Sequence, residues 1–145
     1  MPAADRTVLA VHRTFTYAHT LAHAHLTRQY ARVGLSIPRF NVLRLLHHAP
    51  DGHLTMRQLS AFLAVSPPNI TKLVDGLEKE DWVARSIVPK DRRSTYITLT
   101  ERGERDFIAL LPNVVDVWAD MWSPLNADER LAFAALLQKF AAQFD

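Results

Sequence analysis

At 145 residues the chain is expected to form one domain, 1–145, and with no cysteine it has no disulfide, thiolate metal site or cysteine redox sensor. Its net charge is only +2 with an isoelectric point near 9.2, so a polyanion would have to be held by locally clustered cations rather than by a global basic field. Apolar runs are short and broken by His, Arg or Asp, and no charged-then-apolar leader opens the sequence; neither a membrane span nor a signal peptide is expected, and a cytoplasmic location is.

From Asp5 to about Arg32 no Pro or Gly interrupts the chain, and Val8, Phe15, Ala22 and Leu26 recur at near-heptad spacing, which predicts a long helix over about 5–33. His12, His19, His23 and Tyr30 fall along the edge of that stripe, with His25 nearly opposite. One turn apart, His19 and His23 could supply two of the three or four ligands a divalent metal needs; alternatively the imidazoles line a pocket for an aromatic or carboxylate effector. Half-buried packing at a helix or subunit contact is preferred over both, because no carboxylate accompanies them on that face.

Gly34 ends the first helix and Ser36-Ile37-Pro38 opens a second, whose apolar side is Phe40, Leu43 and Leu46. Ala49-Pro50-Asp51-Gly52 is a strong turn signal. Thr55 then caps a third helix with Met56, Leu59 and Leu63 facing inward. A fourth opens at Ser66-Pro67, where the serine hydroxyl is expected to accept from a first-turn amide and proline loses nothing by lacking one. Along it Ile70, Leu73, Val74 and Leu77 share one face, while Pro68, Lys72, Asp75 and Lys79 lie opposite, flanked by Asn69 and Thr71. A solvated surface is one reading of that polar side; a groove-facing surface is the other, since Asn pairs with an adenine edge, Thr with a base or thymine methyl, and Lys with phosphate or guanine.

Trp82–Val88 and Thr95–Leu99 are rich in β-branched and aromatic residues, and Pro89-Lys90-Asp91-Arg92-Arg93-Ser94 between them supplies turn formers and charge, which predicts a hairpin with a basic tip. Such a tip suits a phosphate backbone or a narrow minor groove, or simply keeps a protein soluble. Thr100 caps a further helix, with Glu101 and Glu104 in its first turn and Phe107, Ile108, Leu111, Val114, Val115, Trp118 and Trp122 along it. Pro112 lies inside, and a kink costing about 3 kcal/mol is expected there. After Ser123-Pro124, Asn126-Ala127-Asp128-Glu129 opens a last helix that carries Phe133, Leu136, Leu137, Phe140 and Phe144 as one stripe. That stripe requires cover, from a second copy or from its own chain.

The run Asp91-x-Arg93, Ile97-x-Leu99-Thr100 and Gly103 resembles the wing signature of the MarR family of winged helix-turn-helix transcription factors. The likeness extends over most of the chain, through Leu59, Leu63, Val65 and Ser66 before the fourth helix and Leu77-Glu78-Lys79 at its end. One departure is Asp81, where the family usually has glycine; Asp tolerates the left-handed conformation such a cap requires.

The resemblance implies a mainly α fold of about six helices with a small β-hairpin wing. The winged helix-turn-helix lobe would span about 37–100, with Leu54-Thr55 as a short strand against the wing. The N- and C-terminal helices, about 5–33 and 101–145, would make a homodimer. The implied function is sequence-specific binding of double-stranded DNA at an inverted-repeat operator, as a ligand-responsive repressor and not an enzyme, with no cofactor. Ser66, Pro68, Asn69, Thr71 and Lys72 would meet the major groove. Arg57, Arg85, Lys90, Asp91, Arg92 and Arg93 would serve the wing and the backbone, Arg93 entering the minor groove with Asp91 fixing its rotamer. A small aromatic or phenolic effector would sit near Phe15, His19, Phe40 and His47. The alternatives are a metal-responsive regulator of the same fold using His19 and His23, and a small metal- or ligand-binding enzyme. Against the enzyme stand the lack of a glycine-rich phosphate loop, of a nucleophile beside a base, and of a carboxylate-histidine ligand set.

Overall fold

Phe40, Leu43 and Leu46, spaced to share one side of a helix, are all but fully buried, and the fold is built around them. The computed structural model describes residues 6–88 and 91–144. In chain order these form α1 (Arg6–Arg32), α2 (Ile37–His47), β1 (His53–Thr55), α3 (Met56–Leu63), α4 (Pro67–Lys79), β2 (Val83–Val88), β3 (Asp91–Leu99), α5 (Glu101–Trp122) and α6 (Ala127–Ala141). The chain divides into two compact units, Met1–Leu111 and Pro112–Asp145, and the boundary falls at the proline inside α5.

In the first unit the core gathers one face from each element. Tyr30 near the end of α1 meets Phe40 at 4.8 Å between ring centroids, and Phe40 meets Phe107 of α5 at 5.5 Å. Leu59, Ile70, Val74, Leu77, Val83 and Ile97 complete it from α3, α4 and the sheet. Such a core is worth about 1.5–3 kcal/mol for each large apolar side chain taken from water. The strand order is β1-β3-β2, antiparallel throughout, with Leu54 opposite Ile97 and Arg85 opposite Ile97 on the other side.

Caps follow the sequence at most ends. Ser36 Oγ accepts from the Arg39 amide at the start of α2, Thr55 and Gln58 form a capping box on α3, and Asn126 and Glu129 form another on α6. Asp81 has φ 61°, so it takes the left-handed conformation that its place after α4 requires. β3 begins earlier than expected, at Asp91 rather than Thr95. The register shifts between Ile87 and Val88, so Thr95 pairs with Ile87 while Asp91 pairs with Val88. Arg92, Arg93 and Ser94 therefore form the long side of a bulge, which lengthens the strand beyond its β-branched run.

Two helices carry exposed large apolar side chains. Val8, Leu9, Val11, Phe15, Tyr17 and Leu21 on α1 are exposed. In the second unit no residue of α6 is buried; Leu131, Phe133, Leu136 and Phe140 are all exposed, although the Phe133 ring lies 5.8 Å from that of Trp122. Phe144 lies past the end of α6, three residues beyond the last helical position, so it extends the stripe from a non-helical tail. No helix among the described residues is long and apolar enough to cross a membrane.

Candidate nucleic-acid interface

α3 and α4 are joined by a turn that three features hold. Ala64 caps α3 in the left-handed conformation at φ 50°, its N–H bonds back to the end of α3, and Ser60 Oγ donates to the Val65 carbonyl at 2.5 Å. α4 leaves this turn with Ile70, Val74 and Leu77 buried beneath it. Ser66, Pro68, Asn69, Thr71 and Lys72 consequently all face solvent on one projecting nose.

The serine does not cap in the expected way. Its hydroxyl makes no cap hydrogen bond; instead its backbone carbonyl accepts from the amides of Asn69 and Ile70, both at 3.0 Å. The reason is the Pro67-Pro68 pair: the second position has no N–H to offer, and the third is already claimed by the carbonyl. The hydroxyl is left available to an outside partner. Thr71 is in the opposite state, since its Oγ1 donates to the Pro67 carbonyl at 2.9 Å. Thr71 thus presents a methyl and an acceptor lone pair, whereas Asn69 and Lys72 present uncommitted side chains. Among the described residues no carboxylate stands within ion-pair distance of Lys72, nor of Arg57, which is exposed in the first turn of α3.

The wing rises from the same lobe, β2 and β3 being its two sides. Lys90 lies outside the described residues, as do the side chains of Asp91, Arg92 and Arg93; the backbone places the last three at the bulged end of the hairpin. Arg85, expected at the DNA backbone, is paired within the lobe. Its guanidinium forks across two carboxylates of α4, Nη2 to Asp75 Oδ1 at 2.6 Å and Nη1 to Glu78 Oε2 at 2.5 Å, because it lies near the root of β2 beside that helix. A second arginine, Arg39 of α2, reaches Glu80 at 2.6 Å, and its guanidinium holds the Glu80 carboxyl below the usual carboxylate range.

The four residues expected to line an effector pocket do not converge. Phe40 is 1% exposed and serves as core between Tyr30 and Phe107. His47 lies nearby, 5.3 Å from the Phe107 ring, with Nδ1 2.7 Å from Glu104 Oε1. Phe15 and His19 stack on one another at 6.2 Å, but far up α1: Phe15 precedes Tyr30 by fifteen residues, about 22 Å of helix. Periodicity puts them on a compatible face without giving the distance along the axis. His19 and His23 stand 6.0 Å apart, and no group of three or more potential metal ligands exists among the described residues.

A buried helix-turn-helix with a polar nose, beside an antiparallel hairpin closed by a third short strand, defines a winged helix-turn-helix protein. The MarR family model matches residues 35–95, from the start of α2 into β3. The uncharacterized HTH-type transcriptional regulator YkoM of Bacillus subtilis is 30% identical over 129 residues, covering 89% of this chain and 82% of that protein. The chain belongs to the MarR family of DNA-binding transcriptional regulators, and it is not an enzyme. The transcriptional repressor MprA of Escherichia coli K12 is 28% identical over 112 residues, 77% of this chain, which spans under two thirds (64%) of MprA's length. The fold is that of Sco3205, a MarR family regulator from Streptomyces coelicolor solved in complex with DNA, with a TM-score of 0.90, 24% identity, and coverage of 97% of this chain and 93% of that one.

Proposed function

We propose that the protein is a homodimeric, ligand-responsive repressor that binds an inverted-repeat operator, with the α4 nose in the major groove and the wing in the neighbouring minor groove. The observation that carries the reading is the state of the nose: among the described residues, the side chains of Ser66, Asn69 and Lys72 are exposed with no hydrogen bond or ion pair of their own, on a helix that buries Ile70, Val74 and Leu77 on its other face. Arg57 is positioned for phosphate and Asn69 for an adenine edge. Arg93 is proposed for the minor groove, with Asp91 fixing it and Lys90 and Arg92 on the backbone.

The dimer is proposed from the large apolar side chains exposed on α1 and α6, such as Val8, Val11, Leu131 and Leu136. Two-fold symmetry then sets half-sites about 34–36 Å apart. The repressor sense follows the likeness to MprA, and the release of DNA by a small aromatic or phenolic molecule follows the family resemblance. Fluorescence anisotropy on duplex selected from a random library tests the DNA reading. Asn69→Ala is expected to relax base preference. Arg93→Ala is expected to weaken binding to all duplexes and to lower the salt slope by about 0.9 for each phosphate the arginine neutralises. A wild-type protein that is monomeric, or that ignores every duplex at low ionic strength, refutes the reading.

A further inference from the structure

The carboxylates on α4 are oddly placed for a helix that must approach a polyanion. Asp75 and Glu78 lie three residues apart in its C-terminal half, where the helix dipole disfavours anions and where two like charges repel. A single side chain resolves both problems. Arg85 lays one guanidinium nitrogen on each, at 2.6 and 2.5 Å, with only 28% of its side chain exposed. The planar fork makes this contact directional in a way an ammonium cannot match. It also joins two elements that have different tasks: α4 carries the nose, and β2 carries the wing.

We infer that Arg85 is a positioning residue which, through Asp75 and Glu78, locks the wing's base strand to the recognition helix so that nose and wing meet DNA as one body. The inference rests on the DNA-binding reading above and reassigns Arg85 within it, from a phosphate contact to an internal brace. Leverage makes the brace matter. Asn69 lies nine residues from Glu78, about 13 Å along the helix, so a 5° swing of α4 about the clamp displaces the nose by about 1.2 Å. A base-edge hydrogen bond tolerates roughly half an ångström, the span from 2.7 to 3.2 Å. Phosphate attraction, by contrast, depends little on such a shift, because it acts through charge rather than alignment.

The test compares wild type with Arg85→Ala and with the double variant Asp75→Asn/Glu78→Gln. Affinity is measured by anisotropy on a selected inverted-repeat duplex and on a random duplex of equal length, across a salt series, with active fractions titrated at stoichiometric concentration. A brace predicts that both variants lose about tenfold on the selected duplex, change less than twofold on the random one, and keep the wild-type salt slope. A phosphate contact predicts otherwise: Arg85→Ala weakens both duplexes and lowers the slope by about 0.9 per arginine, while the double variant, with two fewer negative charges and a freed arginine, binds more tightly. That result overturns the inference. So does a loss that vanishes once active fractions are corrected, which would leave Arg85 a folding residue alone. Wild type failing on both duplexes sinks the DNA reading itself, and the inference with it, and is told apart by needing no variant.

Discussion

A methyl group added at Gly103 makes the sharpest demand on the fold. This glycine sits in the first turn of α5, and a Cβ there would stand 2.8 Å from the Trp82 carbonyl carbon and 3.0 Å from its Cα, with the carbonyl oxygen nearer still. Carbon atoms in contact prefer about 3.5–4.0 Å, so the helix must withdraw by roughly 0.7 Å or more from backbone that has no rotamer to offer. The withdrawal would strain a linked set of hydrogen bonds: Thr100 N–H to the Trp82 carbonyl at 3.1 Å, Thr100 Oγ1 to the Asp81 carbonyl at 2.6 Å, and Gly103 N–H to Thr100 Oγ1 at 2.8 Å. Overpacking costs about 1–3 kcal/mol and the loss of one of these bonds about 0.5–1.5 more, so Gly103→Ala is expected to destabilise by about 2–4 kcal/mol. For a chain of this size that is a fall in Tm of roughly 6–14 °C. Gly76 supplies the control. It lies within α4 with nothing within 4 Å of its would-be Cβ, so Gly76→Ala should raise stability by about 0.5–1 kcal/mol. Paired thermal melts followed by circular dichroism read both; a Gly103→Ala protein melting within about 2 °C of wild type would refute the steric argument.

The caps make a contrasting pair: Asn126→Ala should cost about 1 kcal/mol because its side chain accepts from Glu129, whereas Ser66→Ala should leave folding stability within a few tenths because its hydroxyl caps nothing, and equal losses in urea titrations would contradict this. At Asp81, held at φ 61°, glycine should be nearly neutral and valine should cost at least about 1–2 kcal/mol; similar denaturation midpoints for the two would remove the conformational explanation. The Glu80 carboxyl is held low by Arg39, so its stabilising effect is present at neutral pH and fades as pH falls through the ordinary carboxylate range and below. Melts of wild type and Glu80→Gln should therefore converge in acid and diverge toward neutrality, and a constant gap from about pH 3 to 7 speaks against the pair.

The sequence was legible wherever a residue's role is local. The ends of α2, α3 and α6 could be read from Ser36, Thr55 and Asn126, because a cap bonds within its own turn, and Asp81 could be read from the few residues that accept a positive φ. The same holds for the polar nose of α4, which is one side of a single periodic helix. What failed was distance. Phe15 and Phe40 were both drawn to an effector pocket by the family resemblance, yet Phe40 is core against Tyr30, and Phe15 lies about 22 Å up α1 from that tyrosine. Arg85 looked like another cation of the wing, since neither Asp75 nor Glu78 is near it in periodicity; only the packing of β2 on α4 brings them together. The bulge at Arg92–Ser94 left no mark either, as register depends on the partner strand.

Most helices greet a phosphate with a fan of unused amide hydrogens at their first turn. This one cannot. Pro67 and Pro68 carry no such hydrogens, and those of Asn69 and Ile70 are both spent on the Ser66 carbonyl. On the proposed reading, the grip α4 takes on a nucleic-acid backbone therefore comes from side chains, chiefly the Lys72 ammonium and the Ser66 hydroxyl. A grip made by a hydrated cation is one that potassium competes with directly, so that part of the hold weakens as ionic strength rises.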